Sequence, residues 1–272
     1  MQETHQGDLI KSTVAIQESG GSSKILGTGV IVTNNGLIIT CYHVVGNLQN
    51  KTIDFKDVDI YLPSVPDTKF HANVLEDYSD ASSDIVFLQL QGKLPEQAAV
   101  ANLSEIIVPT HTFQSFGFRK QETFDGLYAD GIIQGKVCKK FKKDDRISLQ
   151  EVIQLGMSGA AVFDIQINRV IGIVSEYLAT SSNVDKNLAL AIQVESIIKV
   201  YSELKDRNPG LNPKLSNITE FLKEIGLEGE LYELIDEVYV PPVEYDDIKN
   251  ALGIAVHHPS RSVVIPRNFF LS

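Results

Sequence analysis

The chain has only two cysteines, Cys41 and Cys138, in 272 residues. Two thiols cannot build a disulfide framework, so a reducing cytoplasm is the expected compartment. No apolar run approaches the roughly 18 to 20 residues of a membrane-crossing helix. The first residues, Met1-Gln-Glu-Thr-His-Gln-Gly-Asp8, lack the basic and apolar regions of a secretory leader. Basic residues are also scarce, 24 Lys plus Arg against 35 Asp plus Glu, for a net charge of -11. That balance repels phosphates, so nucleic acid and anionic membrane surfaces are not expected partners. No repeat or low-complexity tract is present. Hydrophobic residues at 43% and charged residues at 22% are ordinary for a globular protein. The expectation is a soluble, intracellular protein.

From Thr13 to about Val194 the chain alternates short β-branched runs with turn residues. Gly29–Thr33 and Gly36–Thr40 flank Asn34-Asn35 and read as a hairpin. Further strands are expected at 58–62, 85–90, 131–137, 147–155, 160–163, 170–174 and 188–192. This pattern predicts an all-β barrel or sandwich. One helix is expected over 194–204, where Val194, Ile197, Ile198 and Tyr201 share a face. Asp206-Arg-Asn-Pro-Gly210 then reads as a break. Beyond it, residues 219–247 carry ten acidic residues and one basic residue, a local charge of -9. Apolar residues there recur at helical spacing, predicting two short amphipathic helices before Val238-Tyr-Val-Pro-Pro242.

Three residues stand out chemically. Gly156-Met-Ser158-Gly159 places a serine in a glycine-flanked turn between β-rich segments, where the N–H groups of Gly156 and Ser158 can point into one oxyanion hole. A serine hydroxyl needs a base within reach. His43 ends the apolar run Leu37-Ile-Ile-Thr-Cys-Tyr, and Asp84 opens the apolar run Ile85–Leu88. Each alone has a plain structural reading: a turn, a core histidine, a cap. Asp77 and Asp80 compete with Asp84 but open no apolar strand. Cys41 reads as core packing, the Lys139–Lys143 run as a hairpin tip, and His257-His258 as an adjacent pair without further zinc ligands.

Together, Gly27-Thr-Gly-Val-Ile-Val, Thr40-Cys-Tyr-His43-Val-Val, Ser83-Asp84-Ile-Val-Phe-Leu, Gly156-Met-Ser158-Gly-Ala and Leu190-Ala-Ile-Gln-Val resemble a trypsin-like serine protease of the HtrA or trypsin-2 type. The resemblance covers about residues 8–205. It implies a mainly β fold of two six-stranded antiparallel β-barrels (about 8–100 and 105–205), with a C-terminal helix and, at 206–272, an acidic helical tail or adaptor. It implies a serine endopeptidase acting on protein or peptide substrates without a cofactor, with Ser158 as nucleophile, His43 as base and Asp84 orienting it. Substrate is expected to meet Val152, Ser175, Glu176, Tyr177 and Ala189. Val152 stands six before the serine, where a trypsin-like enzyme cutting after Arg or Lys carries Asp. Small or apolar residues before the cut are therefore expected, with Glu176 as the alternative attractor of a basic residue. Met157 replaces the Asp that pairs with a trimmed N-terminus in secreted relatives, so that route of activation is not expected. The stretch Asp236–Ile248 with Ser262–Ile265 resembles the lead-in to a bacterial STAND-type ATPase, though no phosphate-binding glycine loop follows. This suggests a regulatory partner for the tail and a role in bacterial defence or signalling. The alternative is a protease-fold scaffold that binds peptides without cutting them.

Overall fold

The computed structural model describes residues 8–20, 24–118, 126–138, 145–150, 157–177 and 188–211; the side chains of residues 138, 145, 176, 177 and 188 are outside the description. The chain divides into a compact unit, Met1–Asn212, and a second, Pro213–Ser272, whose residues, with the expected acidic helices, the STAND-like stretch and His257-His258, lie outside the described residues.

The described residues of the compact unit form fourteen strands: β1 Thr13–Glu18, β2 Ile25–Ile31, β3 Leu37–Cys41, β4 Gly46–Asn47, β5 Thr52–Ile53, β6 Asp57–Tyr61, β7 Lys69–Asp80, β8 Ile85–Leu90, β9 Thr112–Phe118, β10 Gly126–Cys138, β11 Asp145–Gln150, β12 Ala161–Asp164, β13 Arg169–Tyr177 and β14 Leu188–Gln193. Twelve of them close into two six-stranded antiparallel barrels, ordered β1-β2-β3-β8-β7-β6 and β10-β11-β14-β13-β12-β9. Closure removes the free edges that an open sheet exposes. This is the expected two-barrel architecture.

β2, β3 and most of β8 are buried along their whole length. Their largely apolar runs, interrupted by Thr28, Thr40 and Gln89, match strands covered on both faces. Five strands, β1, β4, β5, β7 and β9, went unread in the sequence. β7 alternates buried Ala72 and Val74 with exposed neighbours and is interrupted by a bulge between Leu75 and Ser79. β9 carries polar Thr112, Gln114 and Ser115 among its aromatics. The hairpin turn differs in detail from a two-residue turn: Thr33 accepts from the Gly36 N–H, its Oγ1 caps Leu37 N, and Gly36 takes φ 77°.

The expected helix forms over Val194–Val200, with Val194, Ile197 and Ile198 buried. It stops at Tyr201, whose backbone leaves the helical region at φ -132°, ψ 85°. The Tyr201 ring packs 5.1 Å from Phe87 on β8 and 4.4 Å from Tyr78 on β7, so the helix that follows the second barrel docks on the first. The segment read as a break continues instead through the helical turn Leu204–Arg207 to fully buried Asn208. Asn208 Nδ2 donates to Val32 O and Ala101 O, and its Oδ1 accepts from Leu103 N and Gly210 N. Residues 206–211 therefore belong to the barrel unit, not to an appended tail. Cys41 is a free, buried thiol. Among the described residues no helix is long and apolar enough to cross a membrane.

Candidate active site

His43 lies in the single helical turn Tyr42–Val45 that follows β3. The turn packs against β2 because Gly27 has no side chain: a Cβ there would meet Val44 at 2.6 Å and Ser158 O at 3.2 Å. Asp84 sits at the entrance to β8, with φ 60° in the left-handed region and 4% exposed. β3 and β8 are paired, with Cys41 opposite Ile85, which brings His43 and Asp84 together despite a separation of 41 positions. Asp84 Oδ1 accepts from His43 N at 3.0 Å, and His43 Nδ1 lies 3.0 and 2.9 Å from the two carboxylate oxygens. Asp84 O also accepts from Tyr42 N.

A third donor comes from the second barrel. Ser175 Oγ on β13 donates to Asp84 Oδ2 at 2.8 Å. Burial pushes the Asp84 carboxyl up, but the His43 contacts and the Ser175 hydroxyl outweigh it and hold the group below the ordinary aspartate value. Asp77 is exposed, and Asp80 is occupied locally by Ser82 N and Ser83 Oγ. Of the three candidate carboxylates, only Asp84 is shown on the histidine.

Ser158 follows buried Met157 in a turn that is tied to both barrels. Thr28 N on β2 donates to Ser158 O at 2.9 Å, while Gly159 N donates to Val174 O on β13 at 2.8 Å. Thr28 also accepts Thr40 Oγ1 at its carbonyl and Phe118 N at its hydroxyl. It thus links β2, β3, β9 and the serine turn. Gly159 adopts φ 88°, and a Cβ there would lie 2.0 Å from Thr28 O and 2.5 Å from Thr40 Oγ1. Both the backbone conformation and the space demand glycine. Gly159→Ala is expected to lower stability by about 2 kcal/mol or more, through strain and displaced barrel contacts. A urea midpoint equal to wild type would show that the turn tolerates the methyl group.

Gly156 and Val152 lie outside the described residues, so the second oxyanion donor and the floor of the expected pocket are not placed. Ser175 and Ala189 are buried on the neighbouring strands β13 and β14, where Ala189 pairs with Tyr177. Glu176 and Tyr177 are placed by backbone alone. Ser175, read from sequence as substrate-lining, sends its hydroxyl to Asp84. Neither that bond nor the Thr28 tether has a local signature, because each joins segments far apart in the chain.

Cys41 Sγ donates to Val174 O at 3.1 Å beneath this site. The donor atoms of Cys41, His43 and Asp84 all fall within 4.8 Å of one another. Burial, with the Asp84 charge, pushes the thiol well above its ordinary pKa, so it stays protonated and is a poor metal ligand.

A family model described as "Trypsin-like peptidase domain" matches residues 27–173. The protein described as "Probable periplasmic serine endoprotease DegP-like" of Rickettsia prowazekii (strain Madrid E) is 25% identical over 78% of this chain. The chain spans only 41% of that relative's length. Among solved structures, the HtrA-type protease AlgW with a decapeptide aligns with TM-score 0.58 and 16% identity, covering 76% of this chain and 68% of that one. The MamO protease domain of Magnetospirillum magneticum aligns with TM-score 0.55 and 17% identity, covering 71% and 97% respectively. At these identities the two structures speak to the fold.

Proposed function

We propose, from the premise that this chain belongs to the trypsin-like peptidase domain family, that it is a serine endopeptidase whose triad is His43, Asp84 and Ser158. The observation that carries the reading is the buried Asp84 carboxylate, shared by His43 Nδ1 and by Ser175 from the opposite barrel. A carboxylate at Nδ1 fixes the tautomer that leaves Nε2 free to accept a proton. Ser158 Oγ attacks the peptide carbonyl as its proton passes to His43 Nε2. The negative oxygen that forms is received by the N–H groups of Ser158 and Gly156. His43 then gives the proton to the departing amine, leaving an acyl ester on Ser158. Water, deprotonated by His43, releases the acid and restores the serine. Asp84 stays ionised throughout and stabilises the imidazolium.

The test is labelling with a fluorophosphonate, which reacts with an activated serine. Stoichiometric labelling of wild type, lost in Ser158→Ala, supports the enzyme. Absence of labelling alongside tight peptide binding would favour the scaffold reading.

Val152 in place of an acidic residue makes a small or apolar side chain before the scissile bond the preferred one. A peptide library is expected to show that preference; a profile led by Arg or Lys would transfer the pocket to Glu176. A reducing compartment and a regulatory partner for residues 213–272, within a bacterial defence or signalling system, complete the proposal. Cell fractionation and cross-linking test these last points.

A further inference from the structure

Arg146, on β11 of the second barrel, is 3% exposed. Its Nη2 donates to the carbonyl of Ser83, the residue before Asp84, at 2.9 Å. Its Nη1 is buried with no acceptor among the described residues. A buried guanidinium without a hydrogen-bonded carboxylate is costly, and an apolar side chain in its place would make the more stable barrel. The charge is felt at the site: the Cys41 thiol responds to Asp84 in one direction and to Arg146 in the other.

The Ser83–Asp84 corner needs such a hold. Asp84 has φ 60°, an uncommon backbone conformation for a residue with a side chain, and one that its surroundings must maintain. On the first-barrel side the preceding turn is fastened by Asp80, which accepts from Ser82 N and Ser83 Oγ. Among the described residues, Ser175 and Arg146 reach the corner from the second barrel, Ser175 at the carboxylate and Arg146 at the peptide that carries it.

We propose that Arg146 is a positioning residue for the catalytic site, holding the Ser83–Asp84 corner across the barrel interface so that Asp84 stays aligned on His43 Nδ1. Arg146 does not touch the reacting atoms. Its contribution passes through the orientation of Asp84. This rests on the triad assigned above, and it adds a requirement that the triad alone does not contain. The two barrels must be in register for Asp84 to be set, so the base in the first barrel is sensitive to how the second one sits.

The experiment compares Arg146→Gln, which keeps a donor of similar reach without the charge, with Arg146→Lys, which keeps the charge on a single donor group. Peptide hydrolysis is read together with the low-field proton resonance of the His43 Nδ1–H bonded to Asp84. Misplacement of a catalytic group by about 1 Å lowers turnover about 100-fold, and Arg146→Gln is expected to lose kcat on that scale with KM little changed. The low-field resonance should weaken with it, and Arg146→Lys should retain more of both. If Arg146→Gln does not fold, Arg146→Lys carries the same two readouts, and the proposal requires both to fall together. Wild-type kcat with an unaltered resonance overturns it. So does a loss of kcat with the resonance intact, which would make Arg146 mere glue between the barrels. Failure of the triad itself would appear elsewhere, as hydrolysis by Ser158→Ala.

Discussion

Ser158→Ala is expected to lower kcat for peptide hydrolysis by about a millionfold, to the level that binding and oxyanion donors sustain without a nucleophile. Removing one oxygen atom from a half-buried turn should leave the fold intact, because the turn is held by backbone bonds from Thr28 and to Val174 rather than by the serine hydroxyl. The measurement is initial rate against peptide, with circular dichroism to confirm folding. Activity above about a thousandth of wild type would remove Ser158 from the nucleophile's place.

The second large effect belongs to Asp84→Asn. The amide offers His43 the wrong hydrogen-bonding partner, so the productive tautomer is lost, and kcat should fall by about 10⁴. A stability signature accompanies it. Asp84 is depressed in the folded state, so its contribution is present above the ordinary aspartate pKa of about 3.9 and is lost as pH falls through the lower folded value. The comparison is made in a Ser158→Ala background, which prevents self-digestion. The gap in urea midpoint between that protein and its Asp84→Asn derivative should hold from about pH 5 to 8 and close in strong acid. A gap independent of pH down to the acid limit would mean that the carboxylate's charge adds nothing to the fold.

Sequence made visible what depends on neighbours in the chain. Leu37–Cys41 and Ile85–Leu90 are mostly apolar because β3 and nearly all of β8 are buried, and the nearby His43 and Asp84 could be singled out for that reason. β7 escaped notice because its outer face is polar and its bulge shifts the alternation. Asp206–Gly210 looked like a linker because Pro and Gly are normally turn residues; the fold instead uses Asn208 to satisfy backbone groups left open at Val32, Ala101 and Leu103. The supports of the site were illegible for a different cause. Ser175 meets Asp84 across 91 positions and Arg146 meets Ser83 across 63, so each appears only once the barrels have closed.

Asn208 also determines how mechanical load enters the protease. Its side chain grips Val32, the residue after β2, and the connecting segment at Ala101 and Leu103. Leu103 bridges to Val170, Ser104 N donates to Val170 O, and β13 runs on from there to Ser175. Tension applied to the chain beyond Leu211 is therefore delivered not to a loose end but to a fixed anchor, one strand's length from the hydroxyl that braces Asp84.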